Sequence, residues 1–327
     1  MKPIRLMTYR NGSAIPTLPE QSLSNSSELF QVYGQTPGYT PILVVASIDE
    51  TPIAKLQAVI RRSVRIFPPS LIKRCEIFGI GEYFNDTYSQ EELFGLMLEH
   101  LTNEVLKDCF LIEFRNLPTA LFGYKHFRRN GYFPINWIRV YNSLHNLSPE
   151  ERLENKRKRQ INRSFKYGVT LQEAQTEEDK KTFLQLLKLH YSSKLRKHFP
   201  DTKLFQLLTQ GSTTGNISRI FTVKYKNRII GGSFCMYSCD RAYLCFSFGL
   251  RKTFSWLHPN TMAIWAALID AYQRGYPHFE FIDAGLPFQK VGYRNFILSF
   301  GGKQVSTRRW FRFRWEWINK LFTRLYQ

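Results

Sequence analysis

No stretch of the 327-residue sequence approaches the ~18–20 consecutive apolar residues that a membrane-spanning helix needs. The longest apolar runs are short, as at Pro41 to Ala46, which excludes a bundle of spanning helices. Acidic residues are scarce: 26 Asp and Glu oppose 46 Lys and Arg, for a formal charge of +20. A field of that sign favours anionic partners such as cofactor phosphates, nucleic acid or an acidic membrane face. Cysteine is also sparse. Cys75, Cys109, Cys235, Cys239 and Cys245 make an odd set without a CxxC pair, so no metal site is expected and the thiols read as reduced and buried. The first thirty residues lack the apolar block of a secretory signal, and the expected location is the cytoplasm. What is abundant is material for a core: 43% hydrophobic and 15% aromatic residues. At ~150 residues per domain that supports about two folded units.

Two distant segments read as the same supersecondary unit. The first has strand-like runs at 41–47, 53–60 and 77–80, a helical stretch from Gln90 to about Lys107, and a strand at 109–114. The second repeats the order, with strands at 219–224, 229–235 and 241–247, a helix from about Thr261 to Arg274 stopped by Gly275, and a strand at 278–282. Mixed α/β (α+β) architecture in two tandem modules follows.

Helix starts are marked by Ser89-Gln-Glu-Glu92, Ser148-Pro-Glu-Glu151 and Thr176-Glu-Glu-Asp179, which fit capping boxes. After the first, Leu93, Leu96, Met97, Leu101 and Val105 recur at helical spacing. The other two open a helical connector of about fifty residues between the modules. It begins with the densest basic run of the chain, Lys156 to Arg163 and on to Lys166. Leu153, Ile161 and Phe165 share one face of that helix, and Arg163, beside this stripe, is the cation expected to point inward. A solvated face with snorkelling side chains competes with a phosphate-facing arc.

Three further features carry candidate chemistry. His258-Pro-Asn260 precedes a long helix, where Asn260 or Thr261 can cap and the first-turn N–H groups favour an anion such as a pyrophosphate. A plain capped helix explains the same residues. In the block from Phe279 to Phe296, Asp283 stands where a strand gives way to a Gly/Pro loop, with Lys290, Tyr293 and Arg294 following. A carboxylate, a phenol and cations together suit acyl transfer to an amine, and an Asp–Arg pair that merely holds the loop is the competing reading. The C-terminal stretch from Arg308 to Gln327 interleaves aromatic and basic residues, partly as a strand over 310–315 and then as an amphipathic helix from Trp317. Packing on the fold, an anionic bilayer surface and single-stranded nucleic acid all fit it.

The doubled module, Arg159-Gln-Ile-Asn-Arg163 with Tyr167-Gly-Val169, Ile230-Gly-Gly232, Pro259 with its helix, and Tyr293-Arg-Asn-Phe296 leading to Phe300-Gly301 together resemble the FemAB-like branch of the GNAT acyltransferase superfamily, over about residues 28–302. The resemblance implies two tandem GNAT-like mixed-sheet domains, here 1–145 and 146–327, the second including the helical connector and a basic aromatic segment at 305–327. It implies an N-acyltransferase that uses acyl-CoA as co-substrate, binds no permanent cofactor, and acylates an amine of a sugar, amino acid or lipid-linked envelope precursor; the expected location is the cytoplasm, or the inner membrane face where the C-terminal segment meets it. By their positions, Asp283 and Tyr293 are the expected catalytic residues, Asn260, Thr261, Lys290 and Arg294 the expected donor-binding ones, and Arg163 and His258 substrate-binding residues lining the cleft. Two alternatives stay open: an aminoacyl-tRNA-dependent transferase, and a non-catalytic protein binding nucleic acid or a membrane surface. Against the first, no long coiled-coil arm separates the modules, and Ile297 replaces a lysine of the family's FKxxFG-like motif. The glycine-rich Q/RxxGxG/A loop of many acyltransferases is also missing before the 261–274 helix.

Overall fold

The computed structural model describes residues 3–10, 15–62, 73–115, 117, 119–192, 199–210, 217–282, 284–289 and 292–326. The chain forms two compact units, residues 1–137 with 306–327, and residues 138–305. The expected division fell near 145 and left the C-terminal stretch with the second domain, whereas the first unit claims it.

The first unit builds strands β1 (Arg5–Arg10), β2 (Tyr39–Ile48), β3 (Thr51–Arg62), β4 (Lys73–Phe78), β5 (Glu82–Tyr83) and β6 (Leu111–Arg115), with helices α1 (Ser27–Gln35), α2 (Gln90–Val105) and α3 (Tyr124–Arg129). β2 and β3 are joined through Asp49 and Glu50, both at positive φ, the tight connection whose twist suits a hairpin. β4 and β6 run parallel around α2, as a crossover connection requires. One sheet face buries Val44, Leu56, Ile77 and Phe114 against Leu93, Met97, Leu101 and Val105 of α2. Leu96, expected on that stripe, is exposed, and Phe94 and Leu98 complete the buried face instead. Ser89 stands at the N-cap but its side chain makes no capping hydrogen bond.

The opposite face of the same sheet is ionic. Glu76 pairs with Arg61 at 2.5 Å and Arg115 at 3.0 Å, and Glu113 with Arg115 at 2.8 Å, Arg309 at 3.1 Å and Arg74 at 3.4 Å. Burial raises the Glu76 carboxyl, but Arg115, Arg61 and Arg74 outweigh it and hold the group well below the usual carboxylate range. Glu113 moves the same way, burial and Glu76 being outweighed by Arg115 and Arg309.

The second unit continues from β7 (Phe133–Ser143), whose residues from Ile138 belong to it, through α4 (Pro149–Arg152), α5 (Asn155–Lys166), β8 (Thr170–Glu173), α6 (Glu177–Ser192), α7 (Thr202–Thr209), β9 (Ser218–Tyr225), β10 (Arg228–Ser238), β11 (Arg241–Gly249), α8 (Pro259–Gln273), β12 (His278–Phe281) and α9 (Gly292–Leu298). The strand order is β7-β12-β11-β10-β9-β8. Lys226 and Asn227, at positive φ, close the β9–β10 hairpin where the turn was expected. The connector is no free-standing linker: β8 pairs with β9, and Ile161 joins the core. It also breaks where one helix was expected. The Ser148–Glu151 box forms reciprocally with proline at the first position, but Leu153 is extended (ψ 137°), so α4 ends and α5 begins afresh. Phe165 is exposed rather than buried with Ile161.

The chain closes with β13 (Lys303–Phe313) and α10 (Glu316–Tyr326). β13 pairs antiparallel with β6. Trp310 is fully buried in the first unit and stacks on Phe127 with ring centres 4.6 Å apart. All five cysteines are free; Cys75, Cys109 and Cys235 are buried, Cys245 is partly buried, and Cys239, in the β10–β11 turn, is exposed. Among the described residues no helix is long and apolar enough to cross a membrane, and no cluster of His, Cys, Asp and Glu is arranged to hold a metal ion.

Candidate active site where two parallel strands part

β11 and β12 lie parallel, in register from Arg241–His278 to Leu244–Phe281. Opposite β10 the register skips Cys245: Phe234 faces Phe246 and Cys235 faces Leu244. Such a bulge bends a strand. From there β11 continues beside β10 to Gly249, while its pairing with β12 has ended. The carboxyl ends of parallel strands are where open α/β sheets take ligands.

Helix α8 begins at this point. His258, with φ 47° and ψ 48°, is a left-handed N-cap, and Pro259 occupies the first helical position, where its missing N–H costs nothing. The helix thus starts earlier than expected, and Asn260 and Thr261 are inside its first turn rather than capping it. Thr261 is buried, and its hydroxyl donates to Oε1 of Gln160 on α5 at 3.2 Å. Asn260 presents a buried Oδ1 that has no hydrogen-bond partner among the described residues. Two glycines allow the helix to press on the sheet. A β-carbon on Gly249 would strike Asn260 Oδ1, lie 2.5 Å from its backbone N and 2.9 Å from the Pro259 carbonyl carbon; one on Gly231 would lie 3.0 Å from Pro259 O.

Over this turn lies α5. Arg163, expected to point inward, is exposed, with its guanidinium 5.6 Å from the Tyr167 ring centre. Arg157 takes the inward place. It donates to Ser299 Oγ and Gln160 Oε1, both at 2.6 Å, and lies 4.5 Å over the Phe296 ring. Arg157 stands one turn before the buried Ile161 and shares its face of α5, whereas Arg163, two residues past Ile161, falls on the other side; the four-residue spacing to Ile161 is the signal that marks Arg157 in the sequence. Burial, then the charges of Arg163 and Arg157, lower the His258 pKa, so the imidazole is neutral at neutral pH and can accept a hydrogen bond or a proton.

Asp283 and Lys290 lie outside the described residues. Tyr293 is half-buried and packs against the core of the second unit. Arg294 is buried, and its guanidinium donates to the carbonyls of Ala284 at 3.0 Å, Pro287 at 3.3 Å and Leu286. Those bonds hold the segment that follows Asp283 in sequence, closer to the loop-holding reading of this arginine than to a free phosphate-binding cation. A carboxylate not singled out from sequence is also buried nearby on β12. Glu280 receives Nε and Nη2 of Arg139, both at 2.7 Å, and Nη1 of Arg241 at 3.2 Å.

Residues 152–290 match the family model for the acetyltransferase (GNAT) domain. No curated protein sequence matches the chain. Among solved structures, FemX is similar with a TM-score of 0.63 at 11% identity, over 93% of this chain and 94% of that one. A tandem GNAT protein from the clavulanic acid biosynthesis pathway gives 0.53 at 10% identity, over 86% and 85%. The C-terminal DUF2156 domain of a putative lysylphosphatidylglycerol synthetase from Agrobacterium fabrum gives 0.54 at 12%, over 81% and 83%. At these identities the likenesses speak for the fold. The parted parallel strands and the helix seated on Gly231 and Gly249 lie within the segment that matches, so residues 152–290 form an acyltransferase domain of the GNAT kind.

Proposed function

We propose that the protein moves an acyl group from acyl-CoA to an amine of a sugar, amino acid or envelope precursor by direct attack. The observation that carries this reading is the parting of β11 from β12 beside the α8 N-terminus, within the segment that matches the GNAT domain. A thioester entering there has its phosphates near the first turn of α8, with Asn260 and Thr261, and near Arg157 and Arg163 of α5. The acceptor nitrogen attacks the thioester carbonyl, the C–S bond breaks, and the amine proton passes to Asp283 or a water it orients. Tyr293 protonates the leaving thiolate, and Lys290 supplies a cation for a phosphate or carboxylate. Arg294 acts through the 284–287 carbonyls that it holds. His258 lines the acceptor side as a neutral group. Holding both substrates together supplies much of the rate.

One observation favours a second donor. Lys156, Lys158, Arg159, Arg163 and Lys166 are all exposed on α5, an array suited to a polyanion such as aminoacyl-tRNA. Thermal stabilisation separates the readings: acyl-CoA above its Kd raises the melting temperature under the first, whereas charged tRNA alone does so under the second, with an effect that collapses as salt rises. Asp283→Asn and Tyr293→Phe should each lower turnover at least tenfold while retaining the donor-induced shift. Full turnover in both would remove the assigned roles.

A further inference from the structure

The C-terminal helix has two faces with different fates. Its inner face is anchored in the first unit. Asn319, 3% exposed, donates Nδ2 to the Gly131 carbonyl at 2.5 Å and accepts from the Phe313 N–H at 3.2 Å. Phe322 packs on Phe313 and Phe133, with ring centres 4.9 and 6.0 Å apart. These contacts set which side of α10 looks outward.

That side carries Trp317, Leu321 and Leu325 at successive four-residue steps, 67%, 50% and 66% exposed. Trp315, also exposed, stacks parallel to Trp317 at 6.5 Å and extends the apolar ridge by one ring. Scattered exposed apolar residues are ordinary; a contiguous ridge marks an interaction surface. Lys320 and Arg324 are exposed along one edge of the ridge, and Arg314 is exposed just before it. Glu316, the acid of this helix, is engaged by Arg312 at 3.6 Å. We propose that the outer face of α10 docks the protein in the plane of an anionic bilayer surface, with Trp317, Leu321 and Leu325 entering the interface and Lys320, Arg324 and Arg314 meeting lipid phosphates.

The chemistry selects this occupant. A second copy of a chain with formal charge +20 brings like charges to the cationic edge. A nucleic-acid platform stacks bases on aromatic rings, whereas two of the four residues on the ridge, Leu321 and Leu325, are aliphatic and the two tryptophans stack on each other. A short amphipathic helix with Trp and Leu on one side and Lys and Arg beside them is the form that lies on lipid. The proposal does not depend on the acyl-transfer reading.

The test is co-sedimentation of the full chain with vesicles of phosphatidylglycerol and phosphatidylcholine in equal parts, against phosphatidylcholine alone. Binding should require phosphatidylglycerol. A cation near an anionic surface contributes roughly fivefold to partitioning, so Lys320→Glu/Arg324→Glu should weaken binding about 25-fold or more. Trp317→Ser/Leu321→Ser should weaken it at least tenfold with its far-UV circular dichroism unchanged. No binding by the native chain overturns the proposal. So does equal loss in Lys156→Glu/Lys158→Glu, which would make the attraction generic. A dimer by sedimentation equilibrium that Trp317→Ser/Leu321→Ser dissociates would assign the ridge to self-association instead, and tight binding of single-stranded RNA lost in that variant would assign it to nucleic acid.

Discussion

Gly249→Ala adds one methyl at the end of β11, where the candidate site depends on how closely α8 approaches. The added carbon would lie 2.5 Å from the Asn260 backbone N and 2.9 Å from the Pro259 carbonyl carbon, besides striking Asn260 Oδ1. Carbon makes good contact at ~3.5–4.0 Å, so the first turn of α8 must withdraw by about an ångström. The obstacles include backbone, which has no rotamer to change. Overpacking of this kind costs ~1–3 kcal/mol, and the displacement falls on the turn carrying Asn260, Thr261 and His258. Gly292→Ala is the control: among the described residues nothing lies within 4 Å of its added carbon, and its φ is not in the left-handed region. Replacing glycine at a compatible site leaves stability unchanged or raises it by ~0.4–1 kcal/mol. Urea unfolding should show a lowered midpoint for Gly249→Ala only, and donor titration by thermal shift should show weakened binding in that variant. If Gly249→Ala unfolds and binds as the native chain does, the close seating of α8 on β11 is not what shapes the site.

Three other outcomes follow from the contacts. Arg294→Ala leaves three loop carbonyls without their charged donor; at ~1.5–3 kcal/mol for a hydrogen bond to a charged group, the urea midpoint should fall clearly, and Arg294→Lys should recover only part of it because an ammonium cannot copy the planar fork. Glu76 and Glu113 have folded pKa values below the ~4.3 of an unfolded glutamate, so their stabilisation is complete above that pH and is lost as pH falls through the folded values; Glu76→Gln should lower stability at pH 7 and flatten the acid limb of a stability–pH curve. Trp310→Ala removes a fully buried ring stacked on Phe127 and should cost ~3–5 kcal/mol, read as loss of the first unit's unfolding transition while the second unit's transition persists.

Much of the fold was legible because its signals are local. The strands at 219–224, 229–235 and 241–247 and the helix after His258 appear within a few residues of their expected bounds, since alternation, turn residues and caps act over short distances. The Lys226–Asn227 turn and the Ser148 capping box are of this sort. The site was less legible. Arg163 was expected inward from its place beside the apolar stripe, but it lies two residues past the buried Ile161 and faces out, while Arg157, one turn before Ile161, takes the inward place. Arg294 looked like a donor-binding cation from its neighbours in sequence, whereas folding brings three carbonyls of the preceding loop onto its guanidinium.

The amino-acid order by itself determined the paired αβ modules, the excess positive charge and the amphipathic character of the last helix, because each depends on periodicity or composition. Tertiary structure alone decided that the C-terminal stretch completes the first unit, that four arginines enclose Glu76 and Glu113, and that β11 parts from β12 at Cys245 beside α8. These depend on strand neighbours and on partners distant in sequence, and the free energy of such contacts exists only once the chain has closed the loops between them.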